Sequence, residues 1–236
     1  MKDDAPEVDM HNKFAEIKDM GFVKSLRRGD TGIGFTFETL FGIKENNRKG
    51  HDFTYNGKRI EVKSRRRHTT ANMTLFTKEP SIRELHDVEL MKKYGYLDIK
   101  KRLALKPDCK FNQFNAQNLG LDIDKKTNSI QLIDNDNNTP WVWTPEDISF
   151  KLENLLFVVA DSKGTRENEF FYYKDAIFYE DFITSKFLEL IENKKIVVNL
   201  RMHQKESGGS RNRGTGFRLN DVSELDNCYK KMTRLT

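Results

Sequence analysis

The sequence predicts a mixed α/β fold, a largely mixed β-sheet with flanking helices, on three observations. Asn56-Gly57 lies between two runs of alternating apolar and polar residues. That is the strongest short-range signal for a two-residue hairpin turn, because both turn positions need positive φ. Residues 155–160 are continuously apolar, as in a strand buried on both faces. A helix over 180–194, with Phe182, Phe187, Leu188 and Ile191 at helical spacing, leads into a strand over 196–202, so strand, helix and strand alternate around a mostly β core.

In chain order, residues 7–24 read as an amphipathic helix with Met10, Phe14, Ile17 and Met20 on one stripe, leading into the basic segment 24–28. The glycine-rich loop 29–34 opens a second helix, 35–43, whose Phe37, Leu40 and Phe41 form an apolar stripe around Glu38. Such a loop at a helix start can cradle a phosphate, although the spacing matches neither a P-loop nor GxGxxG. The hairpin follows. With Asn56 and Gly57 in the turn, Tyr55 faces Lys58, Thr54 faces Arg59, Phe53 faces Ile60 and Asp52 faces Glu61.

Side chains alternate along a strand, so Glu61 and Lys63 share one face while Phe53, Ile60 and Val62 share the other. Two opposed carboxylates cost roughly a few tenths to 1 kcal/mol, and a hard cation offsets that. Mg²⁺ takes one or two carboxylates, keeps several waters and accepts phosphate oxygens. With Lys63 beside it to orient a water or offset phosphate charge, residues 52–63 carry the equipment of a metal-dependent phosphodiesterase. The same pattern also describes an ordinary hairpin with a charged outer face, so it needs support from the rest of the chain.

Arg65, Arg66 and Arg67 come next; such a basic run is usually a solvated loop, and its place just after Lys63 also suits a clamp on phosphates beside a scissile bond. A strand at 73–77 ends before Pro80, and 81–95 reads as a helix. Residues 100–140 are polar, with strands such as 130–133 and a turn at 134–138 that lacks the glycine and distal glutamate of a calcium loop. Trp141 and Trp143 read as packing residues, and Thr144-Pro145 caps a helix over 145–153. Asn199 and Arg201 share a face opposite Val198 and Leu200. The flexible loop 207–214 then returns as a strand at 215–219, giving a β-ribbon over 196–220 that carries Arg201, Arg211, Arg213 and Arg218. Arginine is the side chain that reads guanine bidentately in the major groove.

The 236 residues are 36% hydrophobic and 33% charged, yet 17 Phe and 7 Tyr argue for an ordered core. Residues 58–68 hold six Lys or Arg against Glu61, and residues 196–220 hold five against Glu206, while the net charge is only +5. Two basic stretches on a mildly acidic body point to a polyanion, with nucleic acid the commonest one. No long apolar run or charged-then-apolar leader occurs, so a cytoplasmic protein with no membrane partner is expected. Cys109 and Cys228 lack CxxC spacing and are expected to be free thiols. The five histidines show no ligand spacing, which disfavours a zinc enzyme.

The segments Arg28-Gly-Asp-Thr-Gly-Ile-Gly-x-Thr-Phe-Glu-x-Leu40, Asp52, Ile60-Glu-Val-Lys63, Leu75-Phe-Thr-Lys-x-Pro80 and Gly214-Thr-Gly-Phe-Arg-Leu-Asn220 resemble, in this order, the MvaI/BcnI type II restriction endonucleases. These are relatives of the mismatch-repair nickase MutH with a PD-(D/E)xK nuclease core. The resemblance implies two lobes around a DNA cleft: a catalytic lobe over 1–100, completed by later strands, and a recognition lobe over 101–236. It assigns Asp52, Glu61 and Lys63 to the metal site with Glu38, and Asn199, Arg201, Arg211, Arg213 and Arg218 to the DNA grip. It also implies a monomer that cuts the two strands of duplex DNA in turn, and a cognate DNA methyltransferase in the same system.

One departure stands out. Arg211 and Arg213 replace the histidines expected before the Gly-Thr-x-Phe-Arg block, which leaves room for a target other than the namesakes' CC(A/T)GG and CC(C/G)GG. The expectation is therefore an Mg²⁺-dependent, sequence-specific endonuclease in which Asp52 and Glu61, with Glu38, hold the metal. A MutH-like nickase and a non-catalytic DNA-binding module are the competing readings.

Overall fold

The computed structural model describes residues 5–44, 50–149 and 152–236. The chain opens with α1 (Met10–Asp19), β1 (Val23–Lys24), α2 (Gly32–Phe41), β2 (Phe53–Tyr55) and β3 (Lys58–Arg66). It continues through β4 (Met73–Thr77), β5 (Ile82–Arg83), α3 (Asp87–Tyr94), β6 (Tyr96–Leu97), β7 (Leu103–Leu105) and β8 (Asp108–Cys109). Then come β9 (Leu119–Asp124), β10 (Ser129–Asp134), β11 (Trp141–Trp143), α4 (Pro145–Ser149), β12 (Asn154–Thr165) and β13 (Asn168–Phe182). The last elements are α5 (Thr184–Glu192), β14 (Ile196–Asn199), β15 (Met202–Gln204), β16 (Ser210–Asn212), β17 (Gly216–Leu219), a 3-10 segment (Val222–Cys228) and β18 (Tyr229–Leu235).

These elements form two compact units: Met1–Ala71 with Lys151–Phe182 and Tyr229–Thr236, and Asn72–Phe150 with Ile183–Cys228. The first unit is built on a mixed sheet in the order β1-β13-β12-β3-β2, with β18 also pairing with β13. Strand β3 runs parallel to β12, and the β12–β13 and β2–β3 pairs are antiparallel. Its core joins Phe14 and Ile17 of α1 and Phe37 and Phe41 of α2 to Phe53, Ile60, Val62, Leu156, Val158 and Phe171. Stacked and tilted ring contacts among Phe37, Phe41, Phe53 and Tyr173 hold α2 against the sheet. The apolar run 155–160 is the buried strand expected, between β3 and β13.

The second unit has three four-stranded sheets, ordered β5-β11-β10-β9, β4-β17-β14-β8 and β16-β15-β7-β6. Trp141 and Trp143 are fully buried there, and their indole N–H groups donate to the carbonyls of Leu85 and Lys78 at 2.8 and 2.9 Å. Both cysteines are free and buried, and burial pushes each thiol up to about 12. Among the described residues, no helix is long and apolar enough to cross a membrane.

Several boundaries differ from the sequence reading. The first helix stops at Asp19, and Val23–Lys24 leaves as a strand against Phe170 and Phe171. Helix α2 begins at Gly32 rather than Phe35. A Cβ on Gly32 would lie 2.3 Å from the Arg27 carbonyl oxygen and 2.6 Å from Ser25 Oγ, so only glycine lets this turn pack on the preceding loop.

The segment 81–95 splits into β5, which pairs with β11, and a shorter α3. Residues 180–182 belong to β13, whose pairing with β12 and β18 outcompetes the helical pattern there. Helix α4 spans Pro145–Ser149, and of the expected 145–153 residues 150 and 151 lie outside the described residues, as do 1–4 of the polar N-terminus. The expected strand 196–202 breaks after Asn199.

Candidate active site

The hairpin forms as the sequence dictates. Asn56 and Gly57 take φ of 50° and 72°, and Tyr55, Thr54 and Phe53 pair with Lys58, Arg59 and Ile60. The ladder ends there, so Asp52 and Glu61 do not become the directly opposed pair expected. Asp52 instead turns Oδ2 to accept the Val62 N–H at 2.7 Å. This hydrogen bond keeps the Asp52 carboxylate against the Glu61–Lys63 segment while relieving the repulsion of a face-to-face pair.

Because β2 leaves β3 at Ile60, residues from Glu61 onward pair with β12 on one side, Glu61 with Leu155 and Lys63 with Phe157. Glu61 is buried, and its Oε1 accepts from Lys63 Nζ at 2.6 Å, with side-chain exposures of 9% and 22%. Burial alone would lower the Lys63 pKa. Glu61, Asp52 and, more weakly, Glu38 outweigh it and raise Lys63 above its ordinary 10.5. One ammonium therefore lies in the field of the three carboxylates singled out in the sequence.

Lys63 and Glu38 line a cleft of about 300 Å³ with Val62, Ser64 and the α2 approach, Arg27, Asp30, Thr31, Ile33, Gly34 and Phe35. Arg27 lies over the Phe35 ring at 3.7 Å. Sequence reasoning missed Arg27 and Phe35. Arg27 looked like the basic end of a helix and Phe35 like a first helical residue, but Gly32 packs on the Arg27 carbonyl and both residues line the cleft with Lys63. Among the described residues no three His, Cys, Asp or Glu side chains already form a metal cage. The donor chemistry still suits a hard cation, which asks for one or two carboxylates and otherwise takes water and phosphate oxygens.

The arginines after Lys63 are engaged within their own unit. Arg65 Nη2 donates to the Thr69 carbonyl at 2.7 Å, and Arg66 holds Glu169 bidentately at 2.6 and 2.7 Å. Arg67 pairs with Asp161 at 2.5 Å and with Asp175.

In the second unit the expected ribbon over 196–220 forms but changes sheets partway, one hairpin nested inside the other strand pair. Strands β14 and β17 pair in one sheet and β15 and β16 in another. The break falls where the Leu200 N–H bonds the Pro107 carbonyl and Arg201 donates to the carbonyls of Gly214 (3.1 Å) and Arg213 (3.0 Å). Asn199 donates to Asp108 at 2.7 Å, Arg211 and Arg213 are exposed, and Arg218 has a buried Nε without a hydrogen-bond partner.

No motif or spacing in the chain pointed to the brace beneath this turn. Glu79 accepts from Asn212 Nδ2 at 3.0 Å, the Thr215 N–H at 3.2 Å and Arg83, while Asp87 accepts from Ser210. Burial raises the Glu79 pKa, and Arg83 opposes the rise.

Comparison with known proteins converges on one group. The model of the MvaI/BcnI restriction endonuclease family matches residues 11–229. A solved complex of restriction endonuclease MvaI with its cognate DNA substrate is 25% identical, covers 96% of this chain and 97% of that one, and superposes with a TM-score of 0.79. MvaI in the absence of DNA, 22% identical over 96% of each chain, gives 0.57. No curated protein matches. With the family match running from α1 to β18 and the fold shared over nearly the whole of both chains, this protein belongs to the MvaI/BcnI restriction endonuclease family and is a type II site-specific deoxyribonuclease.

Proposed function

We propose that this enzyme cuts a specific duplex DNA sequence by Mg²⁺-dependent hydrolysis at Glu38, Asp52, Glu61 and Lys63. The observation that carries the reading is Lys63, an ammonium 2.6 Å from Glu61 and under the influence of Asp52 and Glu38 at the wall of an open cleft. Asp52 and Glu61 would hold the cation, with Glu38 as a further ligand or water-orienting group. Bound there, Mg²⁺ supplies positive charge to the non-bridging and leaving oxygens of the scissile phosphate.

Lys63, whose ammonium is held in the metal-free site by Glu61, Asp52 and Glu38, would orient the attacking water or help deprotonate it. Burial of Glu61 and the Val62 N–H on Asp52 keep both carboxylates in place before DNA arrives, which is how a site avoids reorganising during reaction.

Asn199, Arg201, Arg211, Arg213 and Arg218 make the sequence-reading and phosphate contacts, with Arg65, Arg66 and Arg67 flanking the catalytic strand. The exposed Arg211 and Arg213 and the unpartnered Nε of Arg218 support base or phosphate contact. Arg201 has already given two donors to the turn it supports. The solved MvaI complex with cognate DNA supports DNA as the partner. The rest of the proposal is a cytoplasmic monomer that nicks the two strands in turn, alongside a methyltransferase protecting the host's sites.

The test is digestion of DNA of known sequence by the purified protein with Mg²⁺ or with EDTA, followed by sequencing of the product ends. Discrete Mg²⁺-dependent fragments with a common end sequence are expected. Single nicks confined to hemimethylated sites would replace this reading by the nickase, and DNA bound but intact under both conditions would replace it by the binding module.

A further inference from the structure

The turn between β6 and β7 presents an apolar side chain where folding gains nothing from it. Ile99 is 101% exposed and Leu97 69%. The turn is nevertheless held firmly. The Asp98 carboxylate accepts from the backbone N–H groups of Lys100 (2.9 Å) and Arg102 (3.1 Å) and from Arg102 Nε and Nη2 (3.2 and 2.7 Å). Backbone hydrogen bonds join Asp98 N to Arg102 O at 2.9 Å and Lys101 N to Asp98 O at 2.8 Å. The Arg102 guanidinium and the N–H groups it receives hold the Asp98 carboxyl well below the usual carboxylate range. Tyr96, 41% exposed, adds to Leu97 and Ile99 on this braced turn, so the exposed apolar surface is a contiguous patch of the kind that marks a contact site.

The chemistry around it selects the partner. Ile99 is followed by exposed Lys100 and Lys101, then Arg102 and Lys106. Strand β7 pairs with β15, and β15 with β16, so Tyr96, Ala104, His203 and Arg211 lie in one cross-strand row and share a face of the sheet. Burial and the nearby Arg102, Lys106 and Arg211 hold His203 below its ordinary value, an independent sign that this face is cationic. A protein partner or a second copy would need an apolar area larger than one turn. A polyanion with apolar gaps between its charges fits, and duplex DNA is one.

We propose that the β6–β7 turn is a DNA wedge: Ile99 inserts at a base step of the bound duplex, Lys100 and Lys101 take the flanking phosphates, and Tyr96 and His203 extend the contact toward Arg211. This rests on the DNA-cleaving reading above. Apolar wedges of this size unstack a step and kink the duplex, which makes deformability part of target choice at positions without hydrogen-bonded base contacts.

The experiment compares wild type, Ile99→Ser and Ile99→Leu by fluorescence anisotropy on duplexes in EDTA. The duplexes carry the mapped cleavage site with 2-aminopurine scanned through it, or random sequence if nothing is cut. Ile99 is fully exposed, so the variants fold, and matching melting temperatures check this.

The expected result is 2-aminopurine brightening at one step with wild type and Ile99→Leu. Ile99→Ser should lose it and bind roughly tenfold more weakly or worse. Equal affinity and equal fluorescence for Ile99→Ser and wild type would overturn the wedge while wild-type cleavage leaves the nuclease reading intact. An Ile99-dependent affinity without cleavage would keep the wedge and remove the nuclease reading. Absence of DNA binding by wild type would overturn the wedge, and the nuclease reading would stand or fall on its cleavage with Mg²⁺.

Discussion

Lys63 is the residue on which the catalytic account turns, and its charge state has consequences that can be measured. Its pKa lies above 10.5 because Glu61, Asp52 and Glu38 together outweigh the cost of burial. The folded value is raised, so the stabilisation from this cluster is complete below the unfolded lysine value and is lost only as pH climbs through the folded one. Stability to urea of the metal-free protein, measured from pH 6 to 9, should therefore show no loss belonging to Lys63, and a Lys63→Arg variant should reproduce the shape of that stability profile. A shape change in that variant would mean that Lys63 titrates within this range. The carboxylates carry the complementary prediction. Mg²⁺ at about 100 times its dissociation constant should stabilise the protein by about 2.7 kcal/mol, or roughly 5–10 °C in melting temperature. Asp52→Asn should lose most of that shift in a thermal denaturation series.

At the scale of elements, the hairpin and α2 bring these side chains together. The hairpin was legible because Asn56-Gly57 fixes both turn type and register, and three of the four pairs read from it are present. The fourth was not, because register counting knows nothing of side-chain hydrogen bonds, and Asp52 prefers the Val62 N–H to a bare partner carboxylate. The start of α2 was also misplaced, since Gly32 is glycine for a tertiary reason, the 2.3 Å approach of the Arg27 carbonyl. Gly32→Ala should therefore cost roughly 1–3 kcal/mol, seen in urea denaturation. It should also depress cleavage beyond what lost stability explains, because the cleft is shaped by the loop that α2 packs on. Full activity at unchanged stability would show that this close approach does not set the cleft. The arginine run 65–67 taught the opposite lesson. Charge was readable, but the partners Glu169, Asp161 and Asp175 lie roughly a hundred residues away in sequence, and strand pairing alone reveals them.

For the whole molecule, the family and the mixed α/β class were legible from ordered motif blocks, and the match over residues 11–229 agrees. The division of the proposed DNA-gripping arginines between two sheets was not, because an alternating pattern from 196 to 202 does not record that Leu200 bonds Pro107 and ends one ladder. Under the proposed function a preformed carboxylate and lysine site does the cutting while separate arginine-bearing elements do the gripping. The most direct measurement pairs cleavage and binding for Lys63→Ala against wild type on the same mapped site. The account predicts a loss of cleavage of roughly 10²-fold or more with duplex affinity within about threefold of wild type. Cleavage at the wild-type rate, or cleavage and affinity lost in parallel, would contradict it.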